Sequence, residues 1–132
     1  PTDCLNWGFA GANMVNMGDL LKGSGVYGAF DFRVWNNKTR TYDHITDTST
    51  RNKIGRESSP IYAISSDDPP VFIIHGDADK TVPLQQSTSF IAKLNEAGVV
   101  NKLIIKKGGD HNPMDMMPQL YQFVDWFDKH LK

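Results

Sequence analysis

The sequence is short of several things that would settle its class at once. It has a single cysteine, Cys4, in 132 residues. That excludes an internal disulfide and leaves no thiolate cluster for zinc. It has no excess of either charge: 14 Lys and Arg against 15 Asp and Glu give a net charge of −1. Nothing in that balance draws the chain to nucleic acid or to an anionic bilayer. No apolar run approaches the ~20 residues of a membrane span, so none is expected. An initiator Met and a charged-then-apolar leader are missing too. A chain opening on Pro1-Thr2-Asp3 is expected to have lost its original amino terminus. What is present is 39% apolar and 22% charged residues, the balance of a folded globular protein. Its length suits one domain with a modest core.

The chain is organised around Val71-Phe72-Ile73-Ile74-His75-Gly76-Asp77-Ala78-Asp79-Lys80-Thr81-Val82-Pro83. An apolar run so short, set between Asp67-Asp68-Pro69-Pro70 and Gly76-Asp77, reads as a strand over 71–75 buried on both faces. Pro83 suits the first turn of a helix. That helix is expected over about 83–97, with Leu84, Ser87, Ile91 and Leu94 on its inner face and Gly98 just past its end. A second strand is expected over 102–106, bounded by Gly108-Gly109. A final helix follows over about 116–131, with Leu120, Tyr121, Val124, Phe127 and Leu131 as its buried stripe. Strands alternating with helices argue α/β architecture with a parallel pair. The turn beyond the carboxyl end of such a strand is where chemistry is usually placed. Asp77 and Asp79 lie there, and Lys107-Gly108-Gly109-Asp110-His111 lies beyond the next strand.

Residues 1–56 are less regular, and are read as a Gly- and aromatic-rich cap or loop segment beside a βαβα core over 57–132, the two making one partial domain. Met14, Val15, Met17, Leu20 and Leu21 suit a short helix, Asn36-Asn37-Lys38-Thr39 a polar turn, and 46–50 a solvated loop. Arg51 to Glu57 suits one or two helical turns, closed before Pro60. Trp7, Tyr27, Phe30 and Trp35 are candidates to line an acyl or aromatic pocket, with simple packing beneath a long loop the alternative.

Residues 70–87 resemble the acid-loop signature of α/β-hydrolase-fold esterases and prolyl-oligopeptidase-like hydrolases. That signature is an apolar strand, His-Gly, two residues, Asp, two residues, Val-Pro and a helix. Here it reads Val71 to Ile74, His75-Gly76, Asp79 and Val82-Pro83. Lys107-Gly108-Gly109-Asp110-His111 resembles the same family's histidine loop. Pro1-Thr2-Asp3 and Ser59-Pro60-Ile61 resemble the end of its sixth strand and the approach to its seventh. The likeness covers about 57–131, is weak at 1–3, and is absent through most of 4–56. Its flavour is that of the lipase and esterase branch with feruloyl and acetyl-xylan esterases.

The resemblance implies the carboxyl-terminal part of an α/β-hydrolase sheet acting on a small carboxylic ester without cofactor or metal. Asp79 would be the triad carboxylate and His111 the general base. The family's nucleophile stands in a Gly-x-Ser-x-Gly turn ahead of both. No such turn occurs here: Gly23-Ser24-Gly25 has the wrong spacing, and a His-Gly-Gly oxyanion loop is also missing. The chain alone is therefore expected to be inactive. Its partner would be the amino-terminal half of the same hydrolase, or a second copy through self-association. The alternative is a non-catalytic α/β-hydrolase-like binding module.

The chemistry explains the residue types. A serine hydroxyl needs an imidazole to take its proton, and the imidazole needs a carboxylate to fix its tautomer. Asp77 competes with Asp79 for that role, but directly after Gly76 it suits a turn-stabilising side chain. His75 ends a buried strand and suits a hydrogen-bonded structural histidine. Asp110, His111 and Asp115 make a weak metal set in a single loop. Met114, Met116 and Met117 suit packing at the start of the last helix.

Overall fold

The computed structural model describes residues 2, 3 and 32–131. The helix expected around Met14 to Leu21, and Trp7, Tyr27 and Phe30, lie outside the described residues.

Within the stretch read as irregular, the structure places a β-hairpin. β1 (Arg33–Asn36) and β2 (Thr41–His44) pair antiparallel, with Trp35 opposite Tyr42 and their rings 5.0 Å apart, edge to face. The expected polar turn joins them, and the Asn36 side chain accepts from the Lys38 N–H at 2.9 Å. α1 (Thr48–Glu57) follows, longer than the one or two turns expected and crossing the 56/57 division. Asp47 starts it, its carboxylate accepting the Thr50 N–H at 2.6 Å, so Thr48 to Thr50 are helical and not part of a solvated loop.

The core is a β–α–β unit. β3 (Val71–Gly76) and β4 (Asn101–Lys106) run parallel, in register from Val71 opposite Asn101 to Gly76 opposite Lys106. α2 (Gln85–Glu96) crosses between them, burying Gln86, Ser87 and Leu94. Its end is a Schellman motif: Gly98 sits at φ 76°, its N–H bonds Asn95 O at 3.1 Å, and the Val99 N–H bonds Leu94 O at 2.9 Å. Gln86 is 2% exposed and ties the start of the chain to this helix. Its Oε1 accepts the N–H groups of Thr2 and Asp3 at 2.9 and 2.8 Å, and its Nε2 donates to Asp3 O at 3.1 Å. A short 3-10 turn at Pro60–Tyr62 packs beside them, the Ile61 N–H bonding Thr2 O at 3.1 Å.

Two expectations about burial are corrected. β3 is half-buried over Val71 to Ile74, and only His75 and Gly76 are buried. Among the described residues it pairs with β4 alone, so one edge and part of its faces have no neighbour to cover them. The last helix is broken: α3 (Pro113–Met116), a 3-10 turn at Met117–Gln119 holding Pro118, then α4 (Tyr121–His130). Pro118 lacks the N–H that a continuous helix would use. Tyr121, Val124, Phe127 and Leu131 lie 54–76% exposed instead of buried, with Leu120 at 41%. α4 packs through its other aromatics: Phe72 of β3 lies 4.6 Å from Phe123 and 5.4 Å from Trp126, ring centre to ring centre. The helix carries two apolar stripes, and the described sheet is wide enough to cover one. Met114 and Met117 are exposed as well, while Met116 is half-buried.

The strand ends meet at two glycines. A Cβ on Gly76 would fall 2.1 Å from the Gly109 carbonyl oxygen, whereas one on Gly108 (φ 71°) would meet nothing within 4 Å. Gly76→Ala is therefore expected to cost about 3 kcal/mol or more by forcing backbone apart. Gly108→Ala should cost only the ~1–2 kcal/mol of a left-handed alanine. Urea melts of both variants check the ranking, and a costlier Gly108→Ala would refute it.

Candidate active site

Beyond the strand ends the two loops are laced together. The Asp77 carboxylate accepts the Gly108 N–H at 2.6 Å, the Ala78 N–H bonds Gly109 O at 3.0 Å, and Asp110 Oδ1 accepts the Lys80 N–H at 3.0 Å. Asp77 thus acts as a staple between loops and is not paired with His111. Asp110 also accepts the His111 N–H at 2.8 Å, and Asp115 accepts the Asp110 N–H at 3.1 Å. These carboxylates serve backbone donors, and among the described residues no group of three His, Cys, Asp or Glu is placed to hold a metal ion.

The lacing brings Asp79 and His111 together. Their side chains meet at 2.9 Å, Nδ1 to Oδ2, with Asp79 5% exposed and His111 54% exposed. A carboxylate only accepts, so Nδ1 carries the proton toward Asp79. No hydrogen bond engages Nε2 among the described residues. The ring borders an open cleft of about 220 Å³ lined also by Ile74, His75, Pro113 and Met116. Trp35, a candidate for lining a pocket, stands in the hairpin against Tyr42 and does not line this one.

The Asp79 carboxylate is saturated with donors. Oδ1 accepts the N–H groups of Thr81 and Val82 at 2.8 and 2.7 Å, while Oδ2 faces His111 at 2.9 Å and His75 Nε2 at 3.3 Å. Burial by itself pushes its carboxyl up. The hydrogen bonds from Val82, His111 and Thr81, with the charge of His111, outweigh burial and hold it below the ordinary carboxylate value.

His75 is buried and hydrogen-bonded, as expected of a structural residue. Its Nε2 donates to Val82 O at 3.0 Å and its Nδ1 meets Ser87 Oγ at 2.6 Å. Ser87, His75 and Asp79 thus line up as a Ser–His–Asp array. Ser87 is 5% exposed inside α2, with no room for an acyl group, so this array is no nucleophilic site. Gln86 and Ser87 were missed by sequence reasoning as polar anchors. A Gln-Ser pair at the start of a helix, facing a strand that ends in His, was the available signal.

Comparison with known proteins places this geometry. The profile of the prolyl oligopeptidase family matches residues 22–132. The chain belongs to that family. Esterase LipQ of Mycobacterium tuberculosis (strain ATCC 25618 / H37Rv) is 34% identical over 61 residues, which are 46% of this chain and 14% of LipQ. Among solved structures, a truncated carbohydrate esterase from gut microbiota superposes with TM-score 0.55 at 32% identity, covering 60% of this chain and 29% of its own. The acetyl ester-xyloside bifunctional hydrolase from Caldicellulosiruptor lactoaceticus gives TM-score 0.53 at 25% identity, covering 58% and 30%. This family member therefore carries a partial α/β-hydrolase fold of the esterase type, and spans less than a third of the length of these relatives.

The depressed Asp79 carboxyl links the site to stability. An unfolded Asp titrates near ~3.9. A folded value below that stabilises the fold above it, and the gain is lost as pH falls through the folded value. Asp47, Asp67 and Asp110 are also held low and add to the same acid limb. Asp79→Asn should thus destabilise the family member at neutral pH, with the gap to wild type closing below about pH 4. Urea melts across pH measure the gap, and a constant difference would contradict the linkage.

Proposed function

We propose that this chain supplies the acid and the base of a serine carboxylic-ester hydrolase, with the nucleophile contributed by residues other than these 132. The observation that carries the reading is the Asp79–His111 hydrogen bond at 2.9 Å, with the ring bordering a cleft and its far nitrogen without a hydrogen bond among the described residues. In that arrangement His111 Nε2 takes the proton of a serine hydroxyl as it attacks the ester carbonyl carbon. Nδ1–H stays on Asp79 Oδ2, which stabilises the imidazolium. His111 then gives the proton to the departing alkoxide, and the same pair activates the water that releases the acid. The esterase names of LipQ and of both structural neighbours support an ester over a peptide bond, and two of those names point to acylated carbohydrate.

The lack of any Gly-x-Ser-x-Gly turn keeps a second reading, a binding module that has the fold without the chemistry. Aryl acetate and acetylated xylo-oligosaccharide separate them. Residues 1–132 alone should hydrolyse neither above background. Co-expression with an amino-terminal segment bearing the serine turn should restore turnover, and His111→Ala should then remove it by roughly 10⁴- to 10⁶-fold. Absence of hydrolysis in the reconstituted protein would favour the binding module. Hydrolysis by this chain alone, with a fluorophosphonate on one of its own serines, would overturn the division of the triad.

The same reading assigns the exposed face of α4. Tyr121, Val124, Phe127 and Leu131 are exposed, and β3, among the described residues, has one strand partner. Surfaces of this kind are covered in working proteins. The proposed cover is the amino-terminal part of the hydrolase. Without it the isolated chain should self-associate, eluting above 14.8 kDa in size exclusion with light scattering. Val124→Ser with Phe127→Ser should shift it toward monomer. A monodisperse wild-type monomer would show that the face needs no cover.

A further inference from the structure

His75 is the group nearest the acid that the proposed chemistry does not use. Its ring is buried, 9% exposed, at the last side-chain-bearing position of β3. The roles of its two nitrogens follow from their partners. Val82 O can only accept, so Nε2 carries the proton toward it at 3.0 Å, with Asp79 Oδ2 3.3 Å from the same nitrogen. Nδ1 meets the Ser87 hydroxyl at 2.6 Å, and Ser87 is held within α2. The ring therefore spans three elements: strand end, acid loop and helix.

The residue it grips matters. Val82 donates its N–H to Asp79 Oδ1 at 2.7 Å and offers its C=O to His75. One of the two backbone donors on Oδ1, the Val82 N–H, thus belongs to the residue whose carbonyl His75 holds. The second oxygen lies between two imidazoles, His111 at 2.9 Å and His75 at 3.3 Å.

We propose that His75, held by Ser87, is a positioning residue for the acid: it anchors the 79–82 loop through Val82 and so aims Asp79 Oδ2 at His111. The proposal rests on the reading of Asp79 and His111 as an acid–base pair. His75 touches neither substrate nor reacting atoms, and its effect passes through the Asp79 carboxylate. With the anchor gone, the loop loses its tie to β3 and α2, and the N–H groups of Thr81 and Val82 no longer converge on Oδ1. The titratable and charged groups around Asp79 are His75 on β3, His111 and Asp110 from the loop after β4, and Asp77 and Lys80 on its own loop. Only His75 bonds both the acid loop and the helix behind it.

The test is carbon-13 NMR of the Asp79 carboxyl through a pH titration, with the His111 Nδ1–H proton followed in the same samples. Both are local readouts and hold whether or not the 132-residue chain associates. His75→Phe, which keeps a ring and removes both nitrogens, should move the Asp79 midpoint up toward the ordinary carboxylate value and broaden the His111 Nδ1–H signal away through exchange. His75→Gln, whose amide can still donate to Val82 O, should restore both signals. Ser87→Ala should shift them in the same direction as His75→Phe, by less, and supplies the decision if His75→Phe does not fold. Wild-type values in both folded His75→Phe and Ser87→Ala, or a failure of His75→Gln to restore what His75→Phe loses, would overturn the proposal. Asp79→Asn distinguishes the underlying reading: if it leaves the His111 Nδ1–H signal unchanged, the acid–base pair itself is wrong, whatever His75 does.

Discussion

The site depends on one backbone approach. Gly76 ends β3 and Gly109 follows β4 so closely that a methyl group on Gly76 would overlap the Gly109 carbonyl. Parallel strands stand about 4.8 Å apart and diverge once their ladder ends. Here the ladder continues in another form, through Asp77 to Gly108, Ala78 to Gly109 and Asp110 to Lys80. Those three hydrogen bonds carry the register of the sheet into the loops, so that Asp79 and His111, 32 residues apart in the chain, meet at hydrogen-bond distance. The acid–histidine contact is a product of the sheet register as much as of the two side chains that make it.

The two partners are treated differently by their surroundings. The Asp79 side chain is buried with three hydrogen bonds on its carboxylate, and His111 is half open to the cleft. A carboxylate that only orients and stabilises benefits from fixed geometry, whereas an imidazole that exchanges protons with a reacting group has to be reached. Burial and hydrogen bonding divide the labour before any substrate arrives.

Much of this was legible in the sequence, for identifiable reasons. β3, α2 and β4 were readable because each has a strong local signal: a β-branched run, a three- and four-residue periodicity, and glycines at the ends. The pairing of Asp79 with His111 was readable because a loop motif compresses the fold's geometry into short spacings. The orientation of α4 was not readable. Val124 and Phe127 form one stripe and Phe123 and Trp126 another, and periodicity cannot say which meets the sheet when either would serve. The break at Pro118 was overlooked within a run that otherwise looked continuous. Asp47 as a helix cap was hidden in a Thr- and Ser-rich stretch, and Gln86 was hidden because its partners, Thr2 and Asp3, are more than eighty positions away. Local pattern reports local structure, and a polar clamp across the chain leaves no periodic trace.

That clamp has a consequence for how the chain tolerates change. The Gln86 side chain fixes Thr2 and Asp3 against α2, closing a loop whose ends are 83 residues apart. The entropy of closing a loop rises only with the logarithm of its length, about 0.6 kcal/mol for each doubling. Once the ends are held, the length of what lies between them is almost a free variable. Residues added to or removed from the hairpin between β1 and β2 would leave the clamp, the strand ends and the Asp79–His111 contact where they are. The fold thus separates a region able to drift in length over generations from a few atoms whose positions are held to tenths of an ångström.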